Sequence, residues 1–349
     1  MTARSPTLPD TARLVTTTMV VLWLVLATVP LWITHVGLYP YLGIEILIWS
    51  LYALAFNLVL GTAGLPSFGH GAYFGIGAYA FGLCQFNVVA NLWICLAAAF
   101  VIAGLAGALV ALFISHRRGI YYAFMTIAFG QIFWTLAIKS HKVTGGEDGL
   151  LKIARLPADL GFASFDLAGN VAFYYFVLIV FGLVVIALWR LVHSPYGRVI
   201  AAIKQSETRA AHLGYNVWLY KASIFTLSAA VSGLAGGLFA MAQLAAFPDV
   251  MSLHQSGYVV MMTLVGGGLV SFWGPVVGVF LFLIARDVIG ALTNAWMLYF
   301  GLLFIAVVLF RPEGVAGAIT AAWQNRSLHS MRQHGGSALR LLFGGGRWR

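Results

Sequence analysis

An all-α integral membrane protein of about ten transmembrane helices, with N- and C-termini cytoplasmic, is the architecture to which three features of this sequence point. First, of its 349 residues 61% are hydrophobic and only 9% charged, with a mean hydropathy of +0.91, so the charged side chains are too few to build a water-facing surface. Second, apolar runs of about 20 residues recur from end to end, the length a helix needs to cross a hydrocarbon core of roughly 30 Å. Third, lysine and arginine gather in alternate connections between the runs. No soluble domain of ordinary size fits between them.

In chain order the runs predict spans at about 14–34, 40–60, 66–86, 92–114, 119–138, 172–192, 221–243, 256–272, 274–292 and 295–310. The first is too long for a secretory leader and no A-x-A-like site follows it, so it is expected to stay in the membrane. Residues 1–13 then form a cytoplasmic N-terminus, 14–310 a transmembrane domain, and 311–349 a basic cytoplasmic tail. Alternation places Arg4, Arg13, Arg117, Arg118, Arg190, Arg198, Lys204, Arg209, Lys221 and the six arginines of the tail on the cytoplasmic side, fifteen of the 20 basic residues. The opposite side receives Lys139, Lys142, Lys152 and Arg155, balanced by Glu147, Asp148, Asp159, Asp166 and Asp249. The net charge of +10 therefore reads as topology and attraction to anionic headgroups, with no nucleic-acid partner. Cys84 and Cys95, near the outer ends of neighbouring spans, read as buried thiols, with a disulfide as the alternative.

Helices in lipid gain little by burying apolar surface against one another, so close association depends on small residues. In the third span Gly71, Gly75, Ala78 and Gly82 fall on one face, and in the seventh Ser228, Ser232, Gly236 and Ala240 do, with Gly233 and Gly237 alongside; the fourth offers Gly104 and Ala108. Packing does not account for the start of the third span. Gly64, Pro66, Ser67, Gly69 and His70 lie within seven residues, which disfavours continuous helix and leaves backbone polar groups to be satisfied by protein or by water. Gly64, Ser67 and His70 are accordingly candidates for a translocation path. The plainer alternative is a tight turn with Ser67 capping the next helix.

The cytoplasmic connection 193–220 contains "HSPYGRVIAAIKQSETRAAHLGYN". Pro195 and Gly197 end the sixth span; Val199, Ile203, Ala210 and Leu213 then lie on one side of a short helix whose other side carries Arg198, Lys204, Glu207 and Arg209, with Gly214 as its stop. Such a helix either lies in the headgroup layer or docks onto a soluble partner. The outer loop 139–171 contains "KVTGGEDGL", where Gly145 and Gly146 ahead of Glu147 and Asp148 predict a flexible acidic turn suited to external contacts.

Several chemistries lack their residues. The chain has no G-x-x-x-x-G-K-[ST], no H-E-x-x-H and no metal-spaced Cys/His cluster, so no nucleotide, cofactor or metal site and no enzyme activity is expected in it. Of the charged residues within spans, Glu45, Arg286 and Asp287 all fall toward the outer ends, whereas an autonomous secondary carrier or channel should hold an acid nearer the midplane. Ser67 and His70 at i, i+3 raise an intramembrane hydrolase, but no oxyanion-stabilising constellation accompanies them.

Four stretches in order, "NLVLGTAGLPSFGHGAYFGIGAYA" (57–80), "TGGEDGL" (144–150), "SPYGRVIAAIKQSETRAAHLGYN" (194–216) with "YKASIFTLSAAVSGLAGGLFA" (220–240), and "VGGGLVSFWGPVVG" (265–278), resemble the LivM-type permease subunits of branched-chain amino-acid ABC transporters. The likeness runs from about residue 40 to 314. It implies an importer of the bacterial inner membrane in which this permease pairs with a second related permease, two ATPase subunits that hold the ATP, and a periplasmic substrate-binding protein. It further implies that Glu207, Ala210 and Gly214, matching an E-x-x-A-x-x-x-G pattern, together with Arg198, couple ATP hydrolysis to opening, and that Gly145, Gly146, Glu147 and Asp148 face the binding protein. Branched-chain amino acids are the implied solutes; urea, short-chain amides and other small polar solutes use similar permeases. Two departures stand out: Pro66 occupies a place where a less rigid residue is expected, and 315–349 have no counterpart in the pattern.

Overall fold

The computed structural model describes residues 23, 26–30, 39–159, 164–293, 295–310 and 314–315, and the chain divides into two compact units, Met1–Val260 and Met261–Arg349. The N-terminus 1–13, most of the 14–34 span and the tail beyond residue 315 lie outside the described residues.

In the first unit, helix α1 (Pro40–Asn57) opens on a proline whose missing N–H costs nothing in a first turn, and loosens at its far end into a π turn, Leu58–Thr62. Helix α2 (Gly71–Asn87) follows the broken stretch 63–70. Helix α3 (Leu92–Ile114) starts on Asn91, whose Oδ1 accepts from the backbone of Trp93 and Ile94, and α4 (Gly119–Lys139) follows a short connection. After the one-turn α5 (His141–Thr144), the outer loop leads to α6 (Asn170–His193). Two short helices, α7 (Pro195–Gln205) and α8 (Glu207–His212), then lead into α9 (Val217–Gln243).

Helix α9 is the axis of this unit and packs against α1, α2 and α3. Small residues make the approach possible. A Cβ on Gly236 would run into the Phe74 carbonyl, one on Gly77 into the Gly233 backbone, one on Gly107 into the Ala229 methyl, and one on Gly233 into Ala103. The α2 face expected to press on neighbouring helices does so in part: Gly71 meets Ser256 in the helix Leu253–Gly266 and Ala78 lies against Gly236 of α9, whereas Gly75 and Gly82 admit Met251 and the loop side chains Leu150 and Ile153, and the approach at Gly77 lies off that face. Cys84 and Cys95 are both buried free thiols, with no disulfide between them.

Helix α10 (Leu253–Gly266) crosses the boundary between the units. In the second unit Gly267, at φ 89°, turns the chain, and α11 (Gly274–Leu292) returns so closely that a Cβ on Gly278 would meet the Met262 carbonyl. Helix α12 (Trp296–Phe310) follows, and Arg286 pairs with its neighbour Asp287 (3.1 Å).

Among the described residues, six helices are long and apolar enough to cross a membrane: Pro40–Thr62 with its π turn, Leu92–Ile114, Gly119–Lys139, Asn170–His193, Val217–Gln243 and Gly274–Leu292. They coincide with the expected spans to within a few residues. The other three are shorter. Helix α2 has 17 residues, roughly 26 Å at helical rise, because the glycine- and proline-rich stretch before it stays out of the helix. Helix α10 ends at Gly266 after 14 residues, short of the expected 272, and α12 has 15.

Candidate functional site

The connection after α6 was expected to hold one short helix; it holds two, because Ser206 is extended (φ −165°) and caps α8 by accepting from the Arg209 N–H at 3.3 Å. Ser194 caps α7 in the same way through Gly197, with Pro195 in its first turn. The two caps turn α8 so that Glu207, its first residue, points into the protein. Its Oε2 lies 2.6 Å from Arg118 Nε in the α3–α4 connection, and its Oε1 3.2 Å from Lys221 Nζ in the first turns of α9. Lys221, only 1% exposed, also donates to the Arg117 carbonyl at 2.6 Å. An ammonium buried this deeply requires both partners, and Glu207 supplies the charge.

Ala210 is buried beneath α8. Gly214 ends the helix at φ 88°, a left-handed conformation glycine adopts without strain, and the Tyr215 N–H returns to the Ala210 carbonyl (3.3 Å). Ile200 and Ile203 are buried under α7, whereas Arg198 is exposed. Leu213, which the sequence places with Ile203 and Ala210 on the apolar side of one helix, is 76% exposed, and Tyr215 and Leu219 beyond α8 are exposed as well. The break at Ser206 rotates Leu213 away from the face that continuous helix would have given it.

The stretch 61–70 lies beside this assembly. Lys204 of α7 donates to the Gly61 carbonyl at 2.6 Å. Lys204 as a residue is solvent-exposed, yet desolvation of its ammonium lowers its pKa from the ordinary lysine value. Gly64 is exposed at φ 70° and has Lys204 Cγ 2.8 Å from where a Cβ would stand. Ser67 does not cap α2, whose first residue is Gly71. Its hydroxyl instead meets His70 Nδ1 (3.3 Å), while His70 Nε2 meets Ser228 Oγ of α9 (2.8 Å) and Ser228 donates to the Ala55 carbonyl of α1. Since the one hydroxyl hydrogen of Ser228 goes to Ala55, Nε2 carries the proton and donates, leaving Nδ1 to accept from Ser67. His70 is 0% exposed and ringed by Tyr52, Phe56, Tyr73 and Phe225. The stretch is further fastened by the Phe68 N–H to Thr126 Oγ1 (3.1 Å) and the Gly71 N–H to Ser256 Oγ (2.9 Å).

At the other end of the helices the glycine run forms defined turns. Gly145, Gly146 and Gly149 all have positive φ (79°, 66° and 70°), and a 3-10 turn, Gly146–Asp148, holds Glu147 and Asp148 exposed. Strand β1 (Leu150–Leu151) then pairs antiparallel with the segment Ala245–Ala246 after α9. The loop is pinned further by Arg155, which reaches the Ala168 carbonyl (3.1 Å) and Asn170 Oδ1 (2.8 Å) and lies over Phe173. Arg118, Lys221, Lys204 and Ser228 were not singled out as partners from the sequence. The available signal was an ionisable residue at the edge of an apolar run for Lys221, and a hydroxyl in a small-residue ridge for Ser228.

Residues 41–310 match the family model described as the branched-chain amino acid transport system permease component. The chain is 30% identical over 290 residues to the high-affinity branched-chain amino acid transport system permease protein LivM of Escherichia coli strain K12, covering 77% of this chain and 68% of that one. It is 29% identical to LivM of Salmonella typhimurium strain LT2, at the same coverage. To the probable branched-chain amino acid transport permease protein LivM of Methanocaldococcus jannaschii it is 23% identical over 322 residues, covering 77% and 92%. No solved structure matches. The apolar helices and these matches together make this chain a multi-pass membrane protein of the branched-chain amino acid transport permease family.

Proposed function

We propose that the chain is the permease subunit of an ATP-driven importer in a bacterial inner membrane, passing branched-chain or related amino acids by alternating access. The observation that carries this is the α7–α8 pair: it is built around a clamped Glu207 and presents Leu213, Tyr215 and Leu219 outward, as a docking surface for an ATPase subunit does. Energy then enters from outside the chain, in keeping with the missing P-loop. A zwitterion costs many kcal/mol to place in lipid, so the permease has to supply a polar route open to one side at a time, and need not bind its solute tightly.

On this reading selection belongs to a periplasmic binding protein, which the exposed Glu147 and Asp148 on their glycine turns Gly145 and Gly146 would meet. A second permease and two ATPases complete the particle. Ser67 and His70 hold the stretch beside the route in place, with Gly64 turning it against Lys204, while Arg198, Ala210 and Gly214 shape the docking surface. The test is reconstitution of the complete transporter in liposomes. Glu207→Gln and Gly214→Val are expected to abolish uptake while ATP hydrolysis continues and the complex still inserts. Unchanged uptake in both variants, or gradient-driven uptake by this chain alone without ATP, overturns the reading.

A further inference from the structure

The π turn at the end of α1 leaves one backbone group in an unusual position. In a continued α-helix the Gly61 carbonyl would accept from the Leu65 N–H; here that N–H goes to Val59 O instead (2.9 Å). The residue in place to close a wider turn is Pro66, which has no N–H. Gly61 is buried, so its carbonyl requires a donor, and the donor is Lys204 Nζ at 2.6 Å, reaching across from α7. Gly64 makes room for it: with a side chain there, the Lys204 methylenes would have to move, and φ 70° at that position is strained for other residues.

Both ends of this connection are stiff. On the α7 side Ile200 and Ile203 are buried, Tyr196 bonds Ser223 of α9 (2.6 Å), and the helix ends at Gln205, with Ser206 alone between it and Glu207. On the other side the stretch from Gly61 continues through Ser67, Phe68 and His70 to anchors on α4 and α9.

We propose that Lys204 is a positioning residue of transport: a strut through which displacement of the α7–α8 pair reaches the broken stretch 61–70. It takes the place of the backbone bond that Pro66 removes, which gives a physical reason for a rigid proline there. The strut rests on the import reading above, because it has work to transmit only if α7 and α8 are moved from the cytoplasm.

The test uses the complete reconstituted transporter and reads solute taken up per ATP hydrolysed. Lys204→Met keeps the aliphatic stem and removes the donor; losing a charge-assisted hydrogen bond should lower uptake per ATP by about tenfold while hydrolysis continues. Lys204→Arg, which restores a cationic donor, should recover most of the ratio. In parallel, amide hydrogen exchange is compared between resting and ATP-analogue-bound complexes. Wild type should change in both 193–216 and 61–70, and Lys204→Met only in 193–216. An unaltered ratio, or a 61–70 response that survives in Lys204→Met, overturns the strut and leaves the import reading standing. Wild-type uptake indifferent to ATP overturns both.

Discussion

Ser228 serves two elements with one hydroxyl: it accepts from His70 and donates to Ala55, so α1, α9 and the broken stretch ahead of α2 meet at a single oxygen. Ser228→Ala leaves the His70 Nε2–H and the Ala55 carbonyl without that oxygen in a site wholly closed to water, and should cost about 1–3 kcal/mol, read as a lower thermal midpoint in detergent. Ser67→Ala removes only the longer 3.3 Å bond and should cost less. Equal losses would mean that His70 is held by its aromatic surroundings rather than by hydrogen bonds. Glu207 and Lys221 give a second comparison. Glu207→Ala strands a buried ammonium with a carbonyl alone and should destabilise by roughly 3 kcal/mol, whereas adding Lys221→Met should return part of that loss by removing the stranded charge. Arg118→Ala should matter much less to folding, because its side chain is 62% exposed and water screens the pair.

Among elements, the contacts of α9 with α2 and α3 rest on missing side chains rather than on apolar area. Gly236→Ala places a methyl on the Phe74 carbonyl, and Gly77→Ala places one on Gly233. Each should cost about 1–3 kcal/mol through forced separation, seen as a reduced yield of folded protein in detergent. Gly257→Ala, which meets nothing within 4 Å, is the control and should be neutral. The long helices were legible in the sequence because length and hydropathy alone define them: the helices Leu92–Ile114 and Gly274–Leu292 fall on the spans expected at about 92–114 and 274–292. The break at Ser206 was not, since amphipathic periodicity carries on through 193–213 and only the serine hydroxyl, free to cap or to face solvent, decides where one helix stops. The role of Gly77 was hidden for a related reason. A glycine stripe is visible in sequence, but which of its sides faces a helix and which faces a loop is fixed by tertiary placement.

For the whole molecule, the order of the apolar runs and the family signature could be read directly, while the clamp on Glu207 joins positions 89 and 14 residues away along the chain, from Arg118 and Lys221, and only folding brings the three charges together. The same is true of His70 and Ser228, 158 residues apart. One arrangement constrains how such a protein can move. At their tightest crossings α9 lies backbone to backbone with α2, at Gly77–Gly233 and Phe74–Gly236, and backbone to methyl with α3, at Gly107–Ala229 and Gly233–Ala103, which leaves little slack for sliding. Those three helices must therefore travel as a single block, and whatever widens or closes a passage has to swing that block entire.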